Sequence, residues 1–160
     1  MKTKTDKNKK GSVLGSSNGF TIIEVLIVLA IAGLIMLVVF LAVPALQRNS
    51  RNTQRRNDVA SYLGAVNEFV ANNNGQLPSD NDDVTTINDL ANLGFLEPPT
   101  SVDSGAQSSE VDIDAMQLVS GARCDESEIG DTLAGSSRQI AVRFSVEDST
   151  GGAVPQCQEG

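Results

Sequence analysis

The sequence predicts an α+β fold in which one long N-terminal helix packs on a small antiparallel sheet, the first half of that helix being able to span a membrane. Three observations lead there. Residues 25–46 run for 22 positions without a charge. Beyond them Val59, Tyr62, Leu63, Val66, Phe69 and Val70 recur at a helical period and form one apolar stripe. Near the end, Ile140, Val142, Phe144 and Val146 alternate with Ala141, Arg143 and Ser145, which marks a half-buried strand.

Composition narrows the function before any motif does. The 160 residues suffice for one modest domain with appendages. All five lysines lie between residues 2 and 10, and beyond residue 19 seven arginines stand against 19 acids. Such a body repels nucleic acid phosphates, so no direct nucleic acid binding is expected. There is no His, which removes the usual catalytic triads and most zinc sites. No paired acids on a recognisable scaffold are present. No catalytic residue, cofactor or metal ligand is therefore assigned, and the chain is not expected to be an enzyme. Cys124 and Cys157 are spaced for neither a Cys-x-x-Cys redox motif nor a zinc knuckle. In an exported chain the pair reads as one structural disulfide, and in a cytosolic chain as two free buried thiols.

Taken in order, residues 1–19 are basic, then rich in Gly, Ser and Asn, and read as a targeting segment. Residues 20–46 follow as the membrane-spanning part of the helix, since 22 uncharged residues at ~1.5 Å rise cover ~33 Å. A secretory signal would have a shorter apolar core followed by a small-residue cut. Here the only such triplet, Ala30-Ile31-Ala32, lies mid-core, so the segment is expected to be retained. Charge does not orient the span, because the lysines before it are balanced by Arg48, Arg51, Arg55 and Arg56 after it. Residues 47–74 carry the amphipathic half of the helix, stopped by Asn73, Asn74 and Gly75 with Pro78 beyond. Residues 75–160 form the head. Within it Ile87, Leu90 and Leu93 suggest a short helix over 85–93 with Gly94 at its C′ position. Strand signals fall at 115–121, 137–148 and 153–158, the last demoted to an edge by Pro155. Three to four antiparallel strands packed on the helix stripe are expected.

One residue is out of keeping with its surroundings. Glu24 sits at the start of the apolar run, where a carboxylate is costly in hydrocarbon. The run Gly19-Phe20-Thr21-Ile22-Ile23-Glu24 closely resembles the type IV prepilin processing site, in which a basic leader ends in Gly, the mature chain starts with Phe, and an acid four residues on precedes a long apolar helix. More weakly, "NNNGQLPS" and "LGFLEPP" resemble the loop that follows the long helix in pilins and secretion pseudopilins.

The resemblance implies a type IV pilin-like fold with a C-terminal disulfide loop closed by Cys124 and Cys157. It implies cleavage after Gly19 by a prepilin peptidase on the cytoplasmic side and N-methylation of Phe20. It further implies that Glu24 pairs with the Phe20 amine of a neighbouring subunit, and that Gly33 and Pro44 bracket a helix hinge that loosens in filaments. The family's proline usually falls a little earlier, where this chain has Leu41. The implied function is a structural subunit of a type IV pilus or related filament. Its partners would be the prepilin peptidase, other pilin subunits, an inner-membrane assembly platform and, before assembly, the lipid bilayer. Its place would be the cytoplasmic membrane, single-pass with the head outside, and then a surface filament. Two alternatives stand beside this: a pseudopilin of a secretion or DNA-uptake system, and an unprocessed single-pass anchored binding domain whose Glu24 snorkels to the interface.

Other constellations read more plainly. Asp80, Asp82 and Asp83 with Asp112 and Asp114 could furnish calcium ligands, but Val84 falls where an EF-hand needs an oxygen, and a solvated acidic loop is the better reading. Arg48, Arg51, Arg55 and Arg56 would meet anionic headgroups or acids of neighbouring subunits, or else form a solvated helix face. Tyr62 and Phe69 belong to the core stripe.

Overall fold

A computed structural model describes residues 19–160, so all of the expected leader except Gly19 lies outside the described residues. The elements are α1 (Ile22–Asn72), α2 (Asn81–Leu90), β1 (Val102–Ser104), β2 (Met116–Ser120), β3 (Ala122–Cys124), β4 (Thr132–Ala134), β5 (Ile140–Glu147) and β6 (Ala153–Glu159). They divide into two compact units, one ending at Leu41 and the other spanning Ala42–Gly160, and α1 contributes to both.

In the first unit α1 is apolar on all sides, and every residue from Phe20 to Leu41 is exposed. The helix is long and apolar enough to cross a membrane. No side chain here has a tertiary reason to choose a face.

In the second unit α1 buries one face: Val59, Tyr62, Leu63, Ala65, Val66 and Phe69, joined by Arg55 and Asp58. This is the predicted stripe, with Val70 half-buried at its end and two charged residues added at its start. The helix stops where the asparagines stand. Asn74 and Gly75 adopt positive φ of 57° and 82°, and the Gly75 N–H bonds the Val70 carbonyl at 2.8 Å, closing the last turn.

α2 begins and ends earlier than expected. Asp80 caps it by accepting from the Asp83 N–H at 2.9 Å, while the Asp83 carboxylate accepts from the Ser79 N–H at 2.8 Å. Helical structure ends at Leu90, and Gly94 is no C′ residue. Its N–H is drawn instead to Asp58. The acidic cluster thus contains a helix cap.

The main sheet has four strands in the order β1-β2-β5-β6. β2–β5 and β5–β6 are antiparallel, with Leu118 opposite Val142 and Phe144 opposite Gln156. β1 departs from the all-antiparallel expectation by running parallel to β2, Val102 opposite Leu118. The connection from β1 to β2 is long enough to return the chain to the same end of the sheet. Pro155 lies in the edge strand β6, opposite Ser145, as its missing donor requires. β3 and β4 form a separate antiparallel ribbon.

Fifteen buried residues make the main core, including the α1 stripe, Val84, Ile87, Leu96 and the β2 and β5 side chains Met116, Leu118, Ile140, Val142, Phe144 and Val146. β5 is not the half-buried strand its alternation suggests. Ala141, Arg143 and Ser145 on its other face are buried too. The Ser145 hydroxyl donates to the Val111 carbonyl at 2.7 Å, so the chain before β2 covers that face.

Candidate functional site

Glu24 is built into the start of α1 by a local device. Thr21 directly precedes the first helical residue, and its N–H and hydroxyl both donate to Glu24 Oε2, at 2.8 and 2.7 Å. The Glu24 N–H donates back to Thr21 Oγ1 at 3.3 Å. This is a capping box, which satisfies N–H groups that a helix start leaves without partners. A Thr-x-x-Glu pattern before an apolar run is its sequence signal, and weighing Glu24 against the membrane alone overlooks Thr21. Both Thr21 bonds end on Oε2, and among the described residues Oε1 accepts none.

Phe20 stands just before the cap, 89 % exposed. Gly19 is exposed as well, and among the described residues nothing lies within 4 Å of where a side chain on it would point. Gly33 and Pro44 both lie inside α1, and the helix runs through each of them. Proline removes one helical hydrogen bond and glycine adds backbone freedom, so these are the weakest points of the segment.

The four arginines after the apolar run do not form a free basic face. Arg51 reaches Glu147 with Nε and Nη2, at 2.8 and 2.5 Å. Arg55, only 2 % exposed, donates to the Ile113 carbonyl at 2.9 Å and to the carboxylates of Asp114 and Glu147 at 2.9 and 3.1 Å. Its guanidinium also lies 4.7 Å from the centre of the Phe95 ring. Asn52 closes the ladder, exchanging bonds with the Glu147 backbone at 2.9 and 2.8 Å. Arg48 donates to the carbonyls of Asp148 and Ser149. Arg56 alone of the four is exposed without a partner among the described residues. The expectation of lipid or neighbour contacts is therefore corrected for Arg48, Arg51 and Arg55: their partners lie within the same chain, 58 to 101 residues on, beyond the reach of periodicity.

These contacts set the charge state of Glu147. Hydrogen bonds from Arg51, then from Arg55, hold its carboxyl well below the ordinary value of 4.5, at about 2, against the opposing effect of burial. Asp58 makes a second polar lock, accepting the N–H groups of Gly94, Phe95 and Leu96 at 3.1, 2.6 and 2.8 Å. A third centres on Arg143, fully buried, which donates to the carbonyls of Gly130 and Ser109 at 2.6 and 2.5 Å and to Gln117 Oε1 at 2.8 Å.

Cys124 and Cys157 are joined in a disulfide, their α-carbons 5.7 Å apart, tying the ribbon to edge strand β6. Of the two readings left open by their spacing, the structure shows the joined pair and not two free thiols.

Comparison with protein families agrees with the geometry of the N-terminus. Residues 15–40 match the family model described as the prokaryotic N-terminal methylation motif, the signature of type IV prepilins. The match spans the junction, the capping box and most of the exposed apolar helix. Searches of curated proteins and of solved structures return no match.

Proposed function

We propose that this chain is a structural subunit of a type IV pilus or a related filament, cut after Gly19, methylated at Phe20 and polymerised through its N-terminal helix. The motif over residues 15–40 supports a processed, pilin-like subunit rather than an enzyme, with a prepilin peptidase and other pilin subunits as partners. The single observation that carries the reading is the placing of an exposed Gly19–Phe20 junction before the apolar segment rather than after it. A cut there leaves the apolar helix on the mature protein. It also creates an α-ammonium four residues from Glu24.

Glu24 Oε1, free of Thr21, is the atom offered to that cation. Once helices bundle away from water, each subunit's unpaired charges become costly, and pairing across subunits removes the cost. The capping box keeps the carboxylate satisfied before assembly and orients it for the exchange. Before assembly the segment spans the cytoplasmic membrane with the body outside. Gly33 and Pro44 mark where the helix yields during packing.

Intact-mass and N-terminal analysis of the protein from cells with an active prepilin peptidase tests the reading. The expected product begins at Phe20 with one added methyl. A full-length chain, or a cut within or after the apolar segment, refutes it.

A further inference from the structure

The main sheet has two faces of different make. The face toward α1 packs into the fifteen-residue core. The other has a small apolar cluster, Val119 and Ala141 with Ala122 of β3 and the half-buried Cys124 and Cys157 against them, beside the buried polar Arg143 and Ser145. β3 and β4 cover it as a ribbon of three residue pairs, Ala122 opposite Ala134 and Cys124 opposite Thr132. A two-stranded ribbon is marginal in water by itself. The connecting loop, residues 125–131, adds Asp125, Glu126, Glu128 and Asp131, whose like charges oppose compaction.

Polar contacts rather than an apolar core hold this ribbon down: Thr132 and Gln107 exchange backbone bonds at 3.2 and 2.9 Å, and Arg143 pairs with Asp131 at 3.4 Å. Arg143 bonds the Gly130 carbonyl at 2.6 Å, and Glu159 accepts the Cys124 N–H at 2.8 Å. Gly130, at φ +88°, sits so close to β6 that an added Cβ would lie 2.3 Å from the Pro155 Cβ. The Gly121 and Gly135 N–H groups tie its two ends, at 2.8 Å each. Its one covalent link is the cystine, and the two half-cystines supply part of its small apolar contact.

We propose that the Cys124–Cys157 disulfide is a redox-operated latch for this ribbon alone. Oxidised, it holds residues 122–134 on the sheet. Reduced, the ribbon detaches, while α1, α2 and the four-stranded sheet stay folded on their own core. The latch closes by thiol–disulfide exchange: the two thiols give up two protons and two electrons to a disulfide oxidant, which leaves as a dithiol. A dithiol reductant opens it by the reverse step. The surface around Ile129, 72 % exposed on the acidic loop, is then held in one arrangement only after oxidation. The physical basis is selective. Cutting a cross-link returns loop entropy to the chain, and the segment without a core of its own is the first to use it.

Native-state hydrogen exchange on the full chain in detergent micelles, oxidised and after dithiothreitol, reads this directly. Amides of 122–124 and 132–134 should exchange at least ~100-fold faster when reduced. Those of 59–69 and 142–146 should change by less than ~3-fold. Loss of protection everywhere would make the disulfide a staple of the whole fold and overturn the proposal; so would unchanged protection in the ribbon. Gly130→Ala gives an independent arm, because it undocks the loop without touching either cysteine. It should speed dithiothreitol reduction of the disulfide by at least ~10-fold, and an unchanged rate would show that docking and disulfide are not coupled. Neither arm depends on cleavage after Gly19.

Discussion

The two halves of α1 are the same secondary structure serving opposite surroundings. From Phe20 to Leu41 every side chain is exposed and nearly all are apolar, and among the described residues the only side-chain bonds there are those of the Thr21–Glu24 cap. From Ala42 on, polar residues are plentiful, yet the helix buries a stripe that includes an arginine and an aspartate. In the first half the helix satisfies its own backbone groups and, beyond that cap, commits no side chain to the other described residues of its unit. In the second, side chains on one face are committed to the same chain. Exposed apolar residues mark the surface that awaits a partner, and buried charged residues mark the surface already partnered.

The comparison predicts that damage to one half leaves the other's property intact. The largest effect belongs to Glu24. Glu24→Gln keeps a cap for Thr21 but loses the charge, so it separates capping from pairing. We expect the ratio of sheared surface filament to membrane-bound mature protein to fall at least ~10-fold in both Glu24→Gln and Glu24→Ala, with cleavage and body stability unchanged. If Glu24→Gln assembles like the unaltered chain while Glu24→Ala does not, the acid acts as a cap and not as a charge partner.

Arg55→Ala should reverse the pattern. It leaves the Ile113 carbonyl without that donor and Glu147 with Arg51 alone, and should destabilise the body by ~1–3 kcal/mol. Arg56→Ala, one residue away and exposed, should stay within ~0.5 kcal/mol. Urea unfolding of the body measures both, and equal effects would break the distinction between the faces.

Glu147 makes the same point through pH. Its folded carboxyl titrates at about 2 against an ordinary 4.5, so its contribution is fully present above 4.5 and is lost as pH falls toward 2. The difference in urea midpoint between the unaltered chain and Glu147→Gln should therefore be constant from pH 6 to 8 and shrink between 4.5 and 2. A difference independent of pH would remove the ion pairs from the account.

A small stabilising effect is expected at Gly64, exposed in the second half of α1 with nothing within 4 Å of an added Cβ among the described residues. Gly64→Ala should stabilise the body by ~0.5–1 kcal/mol through helix propensity alone. A loss of filaments in that same variant would show that the exposed face meets a neighbour closely.

Legibility in the sequence followed the range of the interaction. The processing junction, the apolar segment and the helix stop at Asn73, Asn74 and Gly75 are written within a few neighbouring residues, where period and composition suffice. Thr21–Glu24 was equally local and readable, through a capping pattern rather than through hydropathy. Gly94 misled because its N–H answers to Asp58, 36 residues earlier, and not to the preceding helix. β1, three residues long, has too little pattern to announce itself, and its parallel pairing with β2 is a property of the chain's path.

The sequence by itself determined the N-terminal motif, the long helix with its apolar stripe, the late strands and an edge position for Pro155, because each rests on spacing or covalent restriction within one segment. Tertiary structure alone decided that Arg55, Asp58 and Arg143 are buried, that Arg51 and Arg55 hold Glu147, and that the far face of β5 is covered. A charge looks solvated in any local window. Only partners brought from 13 to 92 residues away supply the hydrogen bonds that offset the cost of its burial.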